Sequence, residues 1–446
     1  MGPETFTRPV MELKIMKIKT LLLTAIVALT SFSTFGQINI YASPEQKFAL
    51  LKRACEKDLT ENLLPWWSAK MPDEFNGGFY GRVNADNEIL PDAPKGGILN
   101  ARILWTFSAA YRITKNPEYL RLATRAKDYI IARFIDKENG GAFYSLNAKG
   151  EPLDTRKHTY TQAFFIYGLS EYYSVSGDKE ALTNAIDIFE LLEKHTFDKE
   201  ANGYFEAFSR DWNRIPDRMT GERSVDDQKT MNTSLHLLEA YTNLYRVWPG
   251  ERMKERVRNM IEIFLQKIID TETGHLICFF DRNWNPTSKI DSYGHDIECS
   301  WLLYESAQLT DDPILPERVK KACIRVVEAA MEGIAPDGSM LTDKDNETGE
   351  IRIIRSWWEQ AETVVGFLNA FKLTGDEKYL NLSVNAWNYI DRFFIDRKNG
   401  GWFSSVTPGG AGRGDKAGHW ICPYHNGRMC LLVIERNRNN KRDEQS

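Results

Sequence analysis

Pro117-Glu-Tyr-Leu-Arg-Leu-Ala-Thr-Arg-Ala-Lys-Asp-Tyr-Ile130 returns near the far end of the chain as Glu377-Lys-Tyr-Leu-Asn-Leu-Ser-Val-Asn-Ala-Trp-Asn-Tyr-Ile390. The first copy runs on into Phe134-Ile135-Asp136 and Asn139-Gly140-Gly141, the second into Phe393-Phe394-Ile395-Asp396 and Asn399-Gly400-Gly401. In both, apolar residues recur at steps of three and four between charged ones, the period of an amphipathic helix. A Gly-centred turn followed by an aromatic or apolar stretch occurs six times: Gly77-Gly78-Phe79-Tyr80, Gly140-Gly141-Ala142-Phe143-Tyr144, Asn202-Gly203-Tyr204-Phe205, Gly274-His275-Leu276, Asp337-Gly338-Ser339-Met340 and Gly400-Gly401-Trp402-Phe403. Their spacing of about 60 to 70 residues is the signature of one supersecondary unit used repeatedly. Two helices of about 15 to 20 residues with their connections fill one period, so six periods predict about twelve helices. Six helical hairpins closed into a ring make an all-α fold, an (α/α)6 barrel with an inner and an outer layer. The competing architecture is an open solenoid, which calls for polar end repeats that the sequence lacks.

Residues 37–446 are expected to form this single catalytic barrel, long enough at 42% apolar content to bury a large core. The net charge of -5, and the lack of a Lys/Arg stripe beyond Arg436 to Arg442, exclude nucleic acid as the expected partner. Aromatic residues make up 12% of the chain. Their default role is core filling, but flat rings also stack on the apolar faces of sugars. Residues 1–36 read as an N-terminal extension and signal peptide: Lys14, Lys17 and Lys19 precede the apolar run Leu21 to Leu29, and Thr34 and Gly36 are small residues at cleavage positions. Met11 or Met16 would then be the natural start. That run is too short to span a bilayer, so the mature protein is expected to be periplasmic or secreted and free of the membrane; a monomer is expected. Six cysteines (Cys55, Cys278, Cys299, Cys323, Cys422, Cys430) show no metal-ligand spacing and are expected to be mostly buried thiols.

Polar groups gather on the first helix after each turn: Arg102, then His158 and Tyr160, then Asn232 and His236, then His295, then Trp357 with Glu362, then His425. Alternation of inner and outer helices would bring them to one mouth of the barrel. Each has a structural reading too. Asn232 and His236 share a helix face and suit a core contact; His295 and Glu298 lie one turn apart and suit a hydrogen-bonded pair or half of a metal site; Trp357 to Glu362 suits an interhelix contact. Pro423 reads as the first turn of a helix, which places His425 at the positive end of its dipole.

Five words carry a resemblance: Asn100-Ala-Arg-Ile-Leu-Trp-Thr106, Met231-Asn-Thr-Ser-Leu-His-Leu-Leu-Glu-Ala-Tyr-Thr242, Gly294-His-Asp-Ile-Glu-Cys-Ser-Trp-Leu302, Trp357-Trp-Glu-Gln-Ala-Glu362 and Trp420-Ile-Cys-Pro-Tyr-His-Asn-Gly-Arg428. On these the chain, from about Glu45 to Arg438, resembles the N-acylglucosamine 2-epimerase superfamily and within it the cellobiose and mannobiose 2-epimerase group. The resemblance implies an (α/α)6 barrel that inverts C2 of the reducing-end sugar of a β-1,4-linked disaccharide through a cis-enediol. It implies His295 and His425 as the acid/base pair, His236 as a third essential histidine, and Arg102, Tyr160, Asn232, Glu298, Trp357, Trp358, Glu362 and Trp420 as sugar-binding or supporting residues. No cofactor and no metal are expected, since proton transfer next to an aldehyde requires neither and no phosphate-cradling Gly loop is present. Two imidazoles suit the chemistry because each can act as acid or base near neutral pH. Glu298 is expected to raise the pKa of His295 while the helix start lowers that of His425. The rival readings are a glycoside hydrolase, using Asp226 or Asp227 with Glu359 or Glu362, an aldose-ketose isomerase, and an idle glycan-binding protein.

Overall fold

The computed structural model describes residues 37–216, 228–408, 410 and 414–443. The expected leader and the hydrolase candidates Asp226 and Asp227 lie outside the described residues. Among those described are twelve helices, counting each short extension with the helix it continues. They are α1 (Pro44–Asp58, running through a π turn Leu59–Leu63 into Leu64–Lys70), α2 (Gly97–Thr114), α3 (Pro117–Tyr129, extended by Ile130–Phe134), α4 (Thr159–Ser176), α5 (Lys179–His195), α6 (Met231–Val247), α7 (Glu251–Ile263, extended by Phe264–Ile268), α8 (Tyr293–Gln308), α9 (Leu315–Ala330), α10 (Trp357–Thr374), α11 (Glu377–Phe393) and α12 (Tyr424–Asp443).

Odd and even helices differ in composition, and composition decides their layer. In α3, Leu122, Ala123 and Ala126 are buried while Glu118, Arg121 and Asp128 face out, so one stripe packs and the other is solvated. In α4 every residue from Thr159 to Tyr172 is buried, as suits a helix packed on all sides. The even helices form the inner layer: α2 packs on α4, α4 on α6, α6 on α8, α8 on α10, α10 on α12, and α12 on α2. That last contact closes the ring, and α1 completes it from outside by packing on α12 and α11. The open solenoid is therefore excluded. Gly168 permits the α2–α4 approach, since a Cβ there would stand 2.6 Å from the Ala101 carbonyl oxygen. No helix among the described residues is long and apolar enough to cross a membrane.

Short connections join each inner helix to the following outer one, and long ones carry the Gly turns back. Within each turn the residue after the two-residue tip that carries the glycine or glycines bridges to the chain entering it: Pro72 with Phe79, Ile135 with Ala142, Phe197 with Tyr204, Ile269 with Leu276, Ile334 with Met340, and Ile395 with Trp402. The residues just before an inner helix pair antiparallel with the next repeat's turn exit, as Lys157 and His158 do with Phe208 and Ala207. Val83 with Ala417 makes the corresponding link from the last repeat to the first. Every inner helix thus begins at the same end of the ring. α12 begins at Tyr424, so Pro423 precedes the helix rather than occupying its first turn. All six cysteines are buried and free.

Candidate active site

The common origin of the inner helices makes one site from six segments. A cavity of about 270 Å³ is lined by Arg102, Tyr160, Asn232, His236, His295, Glu298, Trp357, Trp358, Trp420 and His425, each in the first two turns of an inner helix except Trp420, which lies just before α12. Ten of the eleven candidate residues therefore share this cavity. The positive ends of the inner helix dipoles surround it and favour negative charge developing inside.

The eleventh, Glu362, does not line the cavity. It is fully buried behind His425, accepting from Trp301 Nε1 at 3.0 Å and Arg428 Nη2 at 2.7 Å, with its Oε1 2.8 Å from His425 Nδ1. Glu362 is one turn further along α10 than the tryptophans, so its side chain reaches the barrel axis below the cavity floor. It partners His425 and is not among the residues that line the cavity.

The expected Glu298–His295 pair is not present either. Glu298 accepts from Arg428 Nη2 at 2.6 Å and lies 3.7 Å from His425 Nδ1, whereas His295 Nδ1 meets the Ser292 hydroxyl at 2.7 Å. Helix periodicity permits an i,i+3 contact without requiring it, and here the buried Arg428 claims the carboxylate. The expected rise at His295 therefore fails, while the expected lowering at His425 holds, with other causes than the helix start. Burial, with a smaller contribution from the neighbouring His236, pushes His295 down to about 3. Burial and the nearby Arg102 and Arg428 guanidinium groups hold His425 well below the usual imidazole range. Burial also lowers His236, against the pull of Glu239. All three imidazoles are thus neutral near pH 7.

Beneath the cavity lies a charged floor that the sequence reading passed over. Arg428 binds Glu239, Glu298, Glu362 and the Tyr424 hydroxyl, and Glu239 in turn holds His236 Nδ1 at 2.9 Å. Three buried carboxylates share one guanidinium. Glu239 is held down to about 2, since burial is outweighed by Arg428 and His236, whereas burial raises Glu298 and Glu362. Glu239 and Arg428 lie within quoted sequence words, three residues beyond His236 and His425, so helical spacing was the available signal. Glu298, Glu362 and His425 bring ligand atoms within 4.8 Å of one another, the one such trio among the described residues, but Arg428 already binds both carboxylates.

Arg102 donates to the Tyr160 hydroxyl at 2.7 Å and lies over the Phe164 ring at 4.1 Å. The His295 and His425 rings both abut Trp358, at 4.7 and 5.6 Å between centroids. Trp420, 38% exposed, stands at the rim with its ring 5.5 Å from that of Tyr160. Four lining residues carry a buried polar atom with no protein partner: Arg102 Nε, Asn232 Oδ1, Glu298 Oε2 and Trp357 Nε1. Buried polar atoms of this kind are ordinarily satisfied, so they mark a place for a ligand rich in hydroxyl groups.

The family model of N-acylglucosamine 2-epimerase matches residues 78–425. The chain is 48% identical over 387 residues to a cellobiose 2-epimerase of Bacteroides fragilis, with 86% of this chain and 99% of that one aligned. It is 40% identical over 383 residues to a cellobiose 2-epimerase of Ruminococcus albus, covering 85% and 97% of the two chains. Among solved structures, the cellobiose 2-epimerase from Bacillus thermoamylovorans superimposes with a TM-score of 0.83 at 40% identity, over 87% of this chain and 100% of the other. A family model spanning most of the barrel, and relatives aligned over nearly their whole length, agree with the cavity of histidines and tryptophans that the fold assembles: the chain belongs to the N-acylglucosamine 2-epimerase family.

Proposed function

We propose that the protein inverts C2 of the reducing-end sugar of a β-1,4-linked disaccharide, cellobiose or mannobiose, by moving one proton off C2 and another onto its opposite face. The observation that carries this reading is the pair of neutral imidazoles, His295 and His425, bordering one cavity against a shared tryptophan. With its Nδ1–H donated to Ser292, His295 has an Nε2 lone pair free to take the C2 proton of the open-chain aldehyde. Glu362 and His425 share a proton across 2.8 Å. As His425 Nε2–H is delivered to the other face of C2, Glu362 in its protonated form gives its proton to Nδ1 and is left a carboxylate held by Arg428 and Trp301, its charge balancing the imidazolium formed at His295. The reverse reaction exchanges the two roles. Arg102 and the helix N-termini oppose the negative charge of the enediol oxygens. Trp357, Trp358 and Trp420 offer faces and edges to the two sugar rings, the outer of which does not react.

A hydrolase would need two carboxylates across the scissile bond. Among the described residues Glu298 is the one carboxylate lining the cavity, while Glu359 is turned away to cap α10 through the Ser356 backbone N–H. We also propose, on the Lys14 to Gly36 segment, that the enzyme acts outside the cytoplasm; cell fractionation that recovers it with cytosolic markers would overturn this. Proton NMR of the protein with cellobiose, and separately with mannobiose, in D2O tests the activity. The expected outcome is a C2 epimer carrying deuterium with the glycosidic bond intact. Release of free monosaccharide without deuterium would instead establish hydrolysis, and a 2-ketose would establish isomerisation.

A further inference from the structure

The six turns are not chemically equivalent, and the fourth differs at the place that supports His295. Elsewhere a buried cation answers the turn aspartate: Lys95 to Asp73 at 2.7 Å, Lys157 to Asp136 at 3.0 Å, Lys229 to Asp198 at 3.0 Å, Lys416 to Asp396 at 2.5 Å, and Arg355 at 3.7 Å from Asp337. In the first, second, third and fifth repeats that cation stands two residues before the inner helix. In the fourth repeat the residue there is Asp291.

A second device differs as well. The fourth residue of α4, Gln162, reaches back twenty positions and clamps Ala142, accepting from its N–H at 2.8 Å and donating to its carbonyl at 2.7 Å. In α10, Gln360 clamps Met340 the same way, at 2.9 Å in both directions. The fourth residue of α8 is Asp296, next to His295. It accepts from the Leu276 N–H at 2.9 Å, but a carboxylate cannot also donate, and the Leu276 carbonyl has the Cys278 thiol at 3.8 Å instead. The other Asp296 oxygen takes His275 Nδ1 at 2.7 Å.

His275 therefore stands where Gly141 and Ser339 stand in those repeats, and it places a titratable, buried cation in a repeat whose pre-helix position holds Asp291 instead of a Lys or Arg. It is 5% exposed and faces carboxylates from three elements: Asp296 of α8, Asp291 of the strand before it at 3.9 Å, and Glu332 of the turn after α9 at 3.7 Å, with the Tyr293 ring 5.9 Å away. Asp270, Glu272, Lys289 and Lys344 line the same cleft. Burial works against charge on His275, but the Asp296 hydrogen bond and the three carboxylates hold its pKa above the ordinary value. Burial likewise pushes Asp296 up to about 6.

We propose that His275, acting through Asp296, is a positioning residue for His295: the neutral glutamine clamp is replaced by a histidine–carboxylate clamp, so that the first turn of α8 is held by a bond that rising pH loosens. A cation held by its partners stabilises while it keeps its proton, and that contribution is lost as pH climbs through the raised value. The inference rests on His295 being one of the two proton-transferring groups.

The test measures kcat and KM for C2 epimerisation from pH 5 to 9 in the wild type, in His275→Ala, and in the double variant H275S/D296Q, which copies the Ser339 and Gln360 of the fifth repeat. His275→Ala is expected to lose tenfold or more in kcat with KM changed less than threefold. The double variant is expected to return within threefold of wild type and to lose the wild-type decline above neutral pH. His275→Ala holding kcat within twofold throughout, or a double variant that keeps the alkaline decline, would overturn the proposal. Should His275→Ala not fold, the double variant decides alone by the same criterion. A wild type that makes no C2 epimer would sink the functional reading and not this one; imidazole nitrogen NMR then decides, since the clamp requires the His295 resonances to move in His275→Ala and unmoved resonances refute it.

Discussion

At the scale of single residues the site turns on neutral imidazoles kept neutral by burial. A base whose pKa lies below the histidine norm stays unprotonated as pH falls through 6.5, so activity should persist into mildly acidic solution. The acid limb of kcat/KM is accordingly expected below pH 6, measured by initial epimerisation rates in a buffer series. Replacing His295 or His425 by alanine should cost about 10²- to 10⁴-fold in kcat, the usual worth of a positioned acid or base, with circular dichroism unchanged. Glu362→Gln should lower kcat by about tenfold or more while leaving KM within threefold, because Glu362 hydrogen-bonds His425 without lining the cavity. A KM effect larger than the kcat effect would return Glu362 to the sugar-binding set.

At the scale of elements, layer assignment follows from composition and crossing distance from small residues. Gly168 lies where α4 meets the backbone of α2, and a methyl group there would press on the Ala101 carbonyl. Gly168→Ala is thus expected to destabilise the fold by about 1–3 kcal/mol, as overpacking of a tight contact does, despite alanine's better helix propensity. Thermal unfolding checks this, and an unchanged midpoint would show that the two helices part at no cost. The turns were readable because glycines with positive φ, such as Gly140 at 71° and Gly141 at 66°, permit a backbone path closed to other residues. The pairing of the turn aspartates of the first, second, third and sixth repeats with distant lysines was not readable, since 20 to 31 residues separate the partners.

At the scale of the whole molecule, ring closure sinks the histidines of the cavity into a common axis, and burial there has a thermodynamic cost. His236, His295 and His425 all have lowered folded-state values. At these three sites the unfolded chain binds more protons than the native one below pH 6.5, so their contribution to stability falls as pH drops, by up to about 1.4 kcal/mol per pH unit for each histidine. Denaturant titrations from pH 7.5 to 5 should show the wild type losing stability relative to a variant with a neutral isostere at His236. A pH slope independent of that replacement would mean His236 is already charged in the native state.

The sequence alone determined the repeat, the helical period within it and the identity of ten residues of one cavity, because turns and amphipathic helices are written locally and the matched words lie at equivalent points of successive repeats. It could not determine which carboxylate serves which histidine. Glu298 and His295 are neighbours by helical count, yet Arg428, 130 positions from Glu298, draws that carboxylate away, and Glu362, 63 positions from His425, takes the place beside the other imidazole. Such pairings depend on where the six inner helices meet at the axis, and only closure of the ring brings charges so distant in the chain within hydrogen-bond reach.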